Sequence, residues 1–170
     1  MAREYVSLDE SIKMLREALR RSFPGVKLSI RRGRGTGYST VRVSWERGPS
    51  ARMVDRIAQR FHGRDFDGMT DSNSYPSALL ADAQGNVREV NFGAGFIFCD
   101  RDLPDGTREA VQEAFAAFYN CEDWRARQSS DHWAGDALAD YVCPPAIGPQ
   151  EIAAQVLAQY RAAQDARLAR

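Results

Sequence analysis

Apolar and polar residues alternate along two segments near the N-terminus, residues 26–31 and residues 40–45. The apolar members are Val26, Leu28 and Ile30 in the first segment and Val41, Val43 and Trp45 in the second. A period of two is typical of strands that bury one face. Residues 33–37 between them contain three glycines, which permit a tight reversal of the chain. The pattern therefore predicts a β-hairpin, around which the rest of the chain is organised.

Helices are predicted on both sides of this hairpin, where apolar residues recur every three or four positions. Ser7 and Glu10 have the spacing of a capping box at the start of the first helix. Its apolar stripe is formed by Leu8, Ile12, Leu15, Leu19 and Phe23. Ser50 is the expected N-cap of the second helix, whose last core residue is Phe61.

The rest of the chain shows a polar loop, further strands and three more helices. The loop covers residues 66–76, where Asp65, Asp67 and Asp71 are expected to bond local backbone rather than calcium. Strands are predicted over residues 78–82 and 87–92, with residues 92–98 continuing or adding a strand. Helices are predicted over residues 108–120, around residues 133–141 and from Pro149, with a frayed end over residues 162–170.

These elements predict an α+β fold. We expect a mainly antiparallel sheet of about four to five strands, with two helices on one face and additional C-terminal helices. The expected division is an α+β domain over residues 1–104 and a helical extension over residues 105–170, unless the chain forms one single domain.

Composition narrows the class of protein. The chain has 170 residues, of which 44% are hydrophobic and 27% are charged, as in ordinary globular proteins. No apolar run approaches the roughly 20 residues that span a bilayer, and no signal-peptide core is found near the N-terminus. The three cysteines are odd in number and form no CxxC pair, which indicates reduced thiols. We therefore expect a cytoplasmic protein with no membrane partner.

The charges are unevenly distributed, although the net charge is zero. Residues 1–64 contain 15 basic and 6 acidic side chains, whereas residues 65–170 contain 8 and 17. Such asymmetry often indicates that one half binds a charged partner, and nucleic acid is the usual partner of a basic half. The alternative is that the two halves neutralise each other inside the fold.

A set of arginines on the hairpin and on the two flanking helices is the candidate nucleic-acid site. Its members are Arg31, Arg32, Arg34, Arg42, Arg20, Arg52 and Arg56. These side chains would contact phosphates, and displaced counterions would then make the affinity sensitive to salt. Tyr38 is the one aromatic residue interleaved with them, so base stacking on single strands has little support from the sequence.

The residues that could carry catalysis form no recognisable site. His132 lies beside Asp131, and Cys121 or Cys143 could be a nucleophile for it, but no spacing brings these residues together. His62 follows the apolar end of a helix, where a cap or surface role is expected. The glycine-rich segment 33–37 lies between two strands, which does not match a nucleotide-binding fingerprint. We expect no enzyme activity, no metal and no cofactor.

Several segments of the chain resemble one known protein family. The similar segments are residues 5–8, 23–27, 41–45 with 48–49, 66–72 and 93–101, and Phe-Asp-Gly-Met-Thr-Asp at residues 66–71 is the most specific. They resemble large polyvalent protein-associated domain 29, over roughly residues 4–102. The resemblance implies a protein of phages or conjugative plasmids that counters host defences or accompanies entering DNA. It implies no catalytic residues, and this chain would be a stand-alone version with extra C-terminal helices.

Two functional hypotheses follow from the charges and the resemblance. In the first, a non-enzymatic accessory protein of a mobile genetic element binds nucleic acid through its basic N-terminal half. In the second, an inhibitor of restriction or CRISPR systems binds a host defence protein complex through its acidic C-terminal half. Both hypotheses place the protein in a mobile-element context.

Overall fold

The computed structural model describes residues 3–35, 39–81, 84–144 and 147–169. The chain forms two compact units. The first comprises Met1–Trp45 and Met53–Asp100, and the second comprises Glu46–Arg52 and Arg101–Arg170. The division near Asp100 lies close to the expected boundary at residue 104, but the assignment of Glu46–Arg52 to the second unit has no counterpart in the sequence analysis.

The observed elements give the α+β class that the sequence predicts. The strands are β1 (Glu4–Val6), β2 (Ser29–Arg32), β3 (Thr40–Trp45), β4 (Asp65–Asp67), β5 (Ser72–Ser74), β6 (Ala78–Ala81), β7 (Val87–Phe92) and β8 (Phe96–Arg101). The helices are α1 (Leu8–Ser22), α2 (Ala51–Ala58) with a 3₁₀ turn (Gln59–Phe61), α3 (Thr107–Phe118), α4 (Trp124–Asp140) and α5 (Pro149–Leu168). The fold class is thereby confirmed.

The strands form three small sheets rather than the one sheet that was expected. Their orders are β1-β7-β6, β2-β3-β8 and β4-β5. The chain passes from the first sheet to the second between β7 and β8. Two backbone hydrogen bonds hold this crossing: the N–H of Gly93 donates to the carbonyl oxygen of Val6 in β1, and the N–H of Gly95 donates to that of Ser39, just before β3. Strand β1 was missed by the sequence analysis, and it pairs in parallel with β7. Three of the four strand pairings with a described register are antiparallel, so the expected mainly antiparallel pairing is confirmed, whereas the strands are divided among three sheets rather than one.

The first unit is built on local signals that the sequence carries. Both hydrogen bonds of the capping box between Ser7 and Glu10 are present at the start of α1. Strands β2 and β3 pair in antiparallel register, so the predicted hairpin is confirmed, although its tip at residues 36–38, which includes Tyr38, lies outside the described residues. The buried core of this unit contains Leu15, Leu19, Val41, Val43, Val54, Val90, Phe92 and Ile97.

Residues 65–74 form a short hairpin, β4–β5, where a loop was expected. All the residues of both strands are exposed, so they lack the alternation of apolar and polar side chains that would have indicated strands. Asp67 accepts hydrogen bonds from the Met69 N–H at 2.9 Å and from the Thr70 hydroxyl at 2.8 Å. These bonds lower the pKa of Asp67, the Met69 N–H most, and they confirm the expected turn role of this carboxylate.

The second unit is a helical bundle with its own core. The largest buried side chains are those of Phe115, Tyr141, Ile152 and Val156. Helix α4 begins at Trp124, well before the short helix expected around residues 133–141, because Asp123 caps it by accepting from the Ala126 N–H at 2.8 Å. Helix α5 continues to Leu168, through most of the segment that was expected to fray. Within the described residues, no helix combines the length and the apolar content that crossing a membrane requires.

The segment Glu46–Arg52 belongs to the second unit through specific bonds. Gly48 and Cys143 exchange two backbone hydrogen bonds, of 2.9 and 3.0 Å. The Arg101 guanidinium donates to the carbonyl oxygens of Leu138, at 2.7 Å, and of Tyr141. Burial lowers the pKa of Arg101 because it disfavours the charged form. The carbonyls at the end of α4 accept hydrogen bonds from this buried guanidinium and so compensate part of that cost.

Candidate nucleic-acid interface

Two arginines lie opposite each other on the exposed face of the β2–β3 hairpin. In the antiparallel register Arg31 pairs with Arg42, and Ile30 pairs with Val43. Because neighbouring residues of a strand point to opposite faces, the buried Val43 assigns Ile30 to the core face and both arginines to the outer face. Two like charges directly across a ladder weaken a sheet, and an anion on this face would reduce their repulsion.

The four arginines of this hairpin, Arg31, Arg32, Arg34 and Arg42, are called the hairpin arginines below. Two of them form ion pairs inside the first unit. Arg42 contacts Asp100 of β8 at 3.3 Å, and Arg32 contacts Asp9 at the start of α1 at 3.2 Å. All four partners are exposed, and exposed ion pairs contribute only about 0–1 kcal/mol to stability. An incoming phosphate could therefore replace either carboxylate at little cost.

The other two hairpin arginines form no ion pair with a described residue. Arg31 lies on the outer face, Arg34 follows the end of β2, and both are exposed. Within the described part of the chain, no carboxylate forms an ion pair with either guanidinium. The cations of the hairpin are therefore only partly neutralised by the chain itself.

Arg20 lies beside a basic groove near the end of α1. The groove has a volume of about 250 Å³. Its lining residues are Arg16, Arg20, Val26, Lys27, Leu28 and Ile30. The groove thus joins three cations to an apolar floor of Val26, Leu28 and Ile30, of which Ile30 lies on β2 and points to the face opposite to Arg31. Arg16 and Lys27 were not among the predicted site residues.

Arg52 and Arg56 belong to different units, although they lie on one helix. In the second unit, the Arg52 guanidinium contacts Asp136 at 3.2 Å and Asp140 at 3.1 Å. Arg56 belongs to the first unit, is exposed, and forms no ion pair with a described residue. Arg52 therefore has its own acidic partners on α4 and is the least available of the predicted site residues.

Counting charges by unit changes the picture given by the two halves of the sequence. The first unit, residues 1–45 and 53–100, contains 14 basic and 11 acidic side chains, which is a net charge of +3. The second contains 9 basic and 12 acidic side chains, which is −3. The asymmetry of nine charges in the sequence is thus largely removed within each unit. The basic character is local, and it is concentrated on the hairpin and along α1.

An exposed row of flat side chains begins on β8, a strand of the same sheet as β2 and β3. Phe98, on β8, is 50% exposed, and its ring centroid lies 6.5 Å from that of Phe96. The Arg64 guanidinium lies over the Phe96 ring at 5.9 Å and over the Tyr75 ring at 5.6 Å. Phe98, Phe96, Arg64 and Tyr75 are called the ring row below. None of them was predicted as a site residue.

Burial patterns place Phe96 and Phe98 of the ring row on the same face as Arg42. Ile97 is buried, so Phe96 and Phe98 on either side of it point away from the core, as does Asp100. Asp100 contacts Arg42, which identifies this outer face of β8 with the outer face of β3. The alternation of Phe96, Phe98 and Asp100 is visible in the sequence, but their position beside Arg42 depends on a sheet pairing that the sequence did not predict.

The side chains considered for catalysis have structural roles or stand apart. The Ile97 N–H donates to Nε2 of His62 at 3.0 Å, which ties this side chain to β8. His132 is exposed and lies 3.6 Å from Asp136, one helical turn away, rather than facing Asp131. Burial raises the pKa of the Cys143 thiol, and that of Cys99 to about 12. Such thiols are poor nucleophiles because they remain protonated at neutral pH.

The comparisons with known proteins agree with the resemblance seen in the sequence. The sequence model of one family, described as large polyvalent protein associated domain 29, matches residues 6–104. No curated protein and no solved structure matches the chain. The matched residues are more than half of the 170, and the family is associated with phages and other mobile genetic elements. The chain therefore belongs to the large polyvalent protein associated domain 29 family.

Proposed function

We propose that this chain is a non-enzymatic accessory protein of a mobile genetic element that binds nucleic acid. The hairpin arginines contact phosphates of the nucleic acid, and Arg20 adds a separate contact from the groove beside α1, on the Ile30 side of β2. Arg56 is a peripheral cation of the same kind. Arg52 is excluded from this set because Asp136 and Asp140 already neutralise it. The absence of activity is part of the proposal and is supported by the structural roles of His62 and Cys143.

The observation that carries the proposal is the pair formed by Arg31 and Arg42. Lysine and arginine on an edge strand often serve only to prevent pairing with another chain, and β2 is an edge strand. That explanation does not apply to Arg42, because β3 lies between β2 and β8. A pair of like charges that the fold does not require is well suited to a phosphate from another molecule.

Salt dependence is the direct test of phosphate contacts. The affinity of the full chain for a fluorescent DNA oligomer is measured by anisotropy between about 50 and 200 mM salt. Four or so contacts predict a slope of about −3 to −4 for the logarithm of affinity against the logarithm of salt. An affinity that does not change over this range would show that phosphates are not the ligand.

Paired substitutions separate the proposed surface from general charge. The double variant Arg31→Ala, Arg34→Ala is expected to bind DNA about tenfold or more weakly and with a smaller slope. Arg3→Ala, Arg88→Ala removes the same charge from the β1-β7-β6 sheet, where these arginines pair with Glu89 and Glu4. This control should bind like the unchanged protein. Equal losses in the two double variants would argue against a defined surface.

The alternative of an anti-defence inhibitor has less support from the second unit. Several of its carboxylates are already paired, since Asp136 and Asp140 contact Arg52, and Glu113 and Asp131 contact Arg127. Fewer carboxylates then remain to occupy a basic groove of a host complex. Recovery of a host defence complex free of DNA, unchanged by Arg31→Glu, Arg32→Glu and Arg34→Glu, would favour this alternative over nucleic-acid binding.

A further inference from the structure

We infer that the outer face of the β2-β3-β8 sheet binds single-stranded nucleic acid, with bases stacked on the ring row and phosphates held by Arg31, Arg42 and Arg64. This inference rests on the proposed function, and it specifies which form of nucleic acid the surface accepts. It also reverses the expectation from sequence, in which Tyr38 was the one aromatic residue near the arginines.

Two rings of the ring row are exposed to solvent rather than buried. Phe98 is 50% exposed and Tyr75 is 55% exposed. Exposed aromatic side chains that lie together commonly mark a binding surface, because leaving them in water forfeits the gain from burial. Phe96 links the two by contacting Phe98 on one side and the Arg64 guanidinium on the other.

The Arg64 guanidinium, in the middle of the ring row, has an unsatisfied hydrogen-bond donor. Arg64 Nε is shielded from solvent and has no hydrogen-bond partner in the described part of the chain. No carboxylate among the described residues forms an ion pair with Arg64, so its guanidinium stacks between two rings with its charge uncompensated. The Arg64 side chain is partly exposed, so a phosphate can accept charge-assisted hydrogen bonds from its guanidinium, although not from the shielded Nε.

The ring row favours single-stranded over double-stranded nucleic acid. Base faces are available for stacking in a single strand, whereas in a duplex they are covered by neighbouring bases. Rings beside cations therefore strengthen binding to single strands, and they add nothing to the phosphate contacts of a duplex. Asp100, a carboxylate on this face, contacts Arg42 in the free protein. Arg31 and Arg64 are therefore the cations that meet the phosphates first.

The test compares three fluorescent ligands of equal length on the full chain. They are an oligothymidylate of about 20 nucleotides, an abasic sugar-phosphate oligomer and a duplex. The unchanged protein should bind the oligothymidylate at least about tenfold more tightly than the abasic oligomer, which corresponds to the lower part of the range for stacking one base.

Substitution of one ring identifies the platform. Phe98→Leu should weaken oligothymidylate binding by about tenfold and leave abasic binding unchanged, whereas Phe98→Tyr should keep the affinity of the parent. Phe98 is half exposed, so thermal unfolding should show that both variants fold normally. Trp124→Leu is the matched control, because Trp124 is an exposed ring on α4 that also stacks on an arginine, Arg125. Its affinity should not change.

The outcomes separate this inference from the proposed function. Equal, salt-sensitive binding of the three ligands, unaffected by Phe98→Leu, would overturn the stacking inference and leave phosphate binding in place. The ring row would then be a surface for a protein partner. Failure of all three ligands to bind at about 50 mM salt would overturn both proposals.

Discussion

Glycines at close backbone approaches are the strongest constraints on single residues in the first unit. A Cβ on Gly63 would lie 1.6 Å from the carbonyl oxygen of Phe92, and one on Gly93 would lie 2.6 Å from the backbone nitrogen of Leu8. Backbone atoms cannot move away as the end of a side chain can. A Cβ on Gly95 would likewise lie 2.9 Å from the hydroxyl oxygen of Ser39. The sequence around Gly63 carries no signal of its close approach, because Phe92 lies far along the chain.

We therefore expect Gly63→Ala to destabilise the protein strongly. The added methyl group must displace either the 62–64 segment or β7, so the loss should reach about 3 kcal/mol, as for overpacked sites. Chemical denaturation followed by circular dichroism measures this loss. Gly135→Ala is the matched control, because a Cβ on Gly135 in α4 meets no atom within 4 Å. That substitution should raise stability by about 0.5–1 kcal/mol, and a gain from both substitutions would contradict the close approach.

At the scale of elements, the sequence predicted those whose signals are local. The β2–β3 hairpin and α1 were predicted because alternation, helical spacing and the Ser7 cap are properties of neighbouring residues. The β4–β5 hairpin was missed because none of its residues is buried, so no alternation exists to be recognised. The ring row was missed for another reason. Phe98 lies in the same sheet as Arg42 only through the pairing of β3 with β8, which brings together distant parts of the chain.

The pairing of Arg31 with Arg42 predicts a conflict between stability and function in the hairpin. Arg31→Thr removes a like-charge pair and introduces a residue that favours strands, so the free energy of unfolding should rise by about 0.5 kcal/mol. DNA affinity should fall at the same time. Arg34→Thr is the control, because Arg34 lies beyond the end of β2, outside the strand pairing. Its substitution should weaken DNA binding without changing stability. Loss of stability in Arg31→Thr would mean that Arg31 serves the fold rather than a ligand.

At the scale of the whole molecule, the charged side chains were counted correctly from the sequence, but the boundary chosen at residue 64 does not match the units of the structure. Dividing the chain at residue 64 separated 15 basic from 17 acidic side chains, but the units of the structure do not follow that division. The second unit recruits Glu46–Arg52 from the first half, and with it the cations of Arg47 and Arg52. Sequence could not show this because Gly48 and Cys143 are joined only by backbone hydrogen bonds, which any residue types can form.

The hydrogen bonds of Glu46–Arg52 and Arg101 lead us to predict that residues 6–104, which match the family model, depend on the C-terminal helices for their stability. The match ends at residue 104, yet Gly48 within it bonds to Cys143, and Arg101 within it donates to Leu138 and Tyr141. A chain truncated to residues 1–104 loses these hydrogen bonds, each of which contributes about 1 kcal/mol to the free energy of unfolding. Its midpoint of thermal unfolding should therefore fall by about 10 °C or more relative to the full chain.

A second truncation separates this dependence from the mere loss of length. A chain of residues 1–165 lacks only the exposed end of α5 and retains every one of these bonds, so its unfolding midpoint should equal that of the full chain. If the 1–104 chain also kept the full midpoint, the bonds of Glu46–Arg52 would contribute nothing to the fold. If it falls as expected, the extra helices are a structural requirement of this family member, and DNA binding should be measured only on chains that retain them.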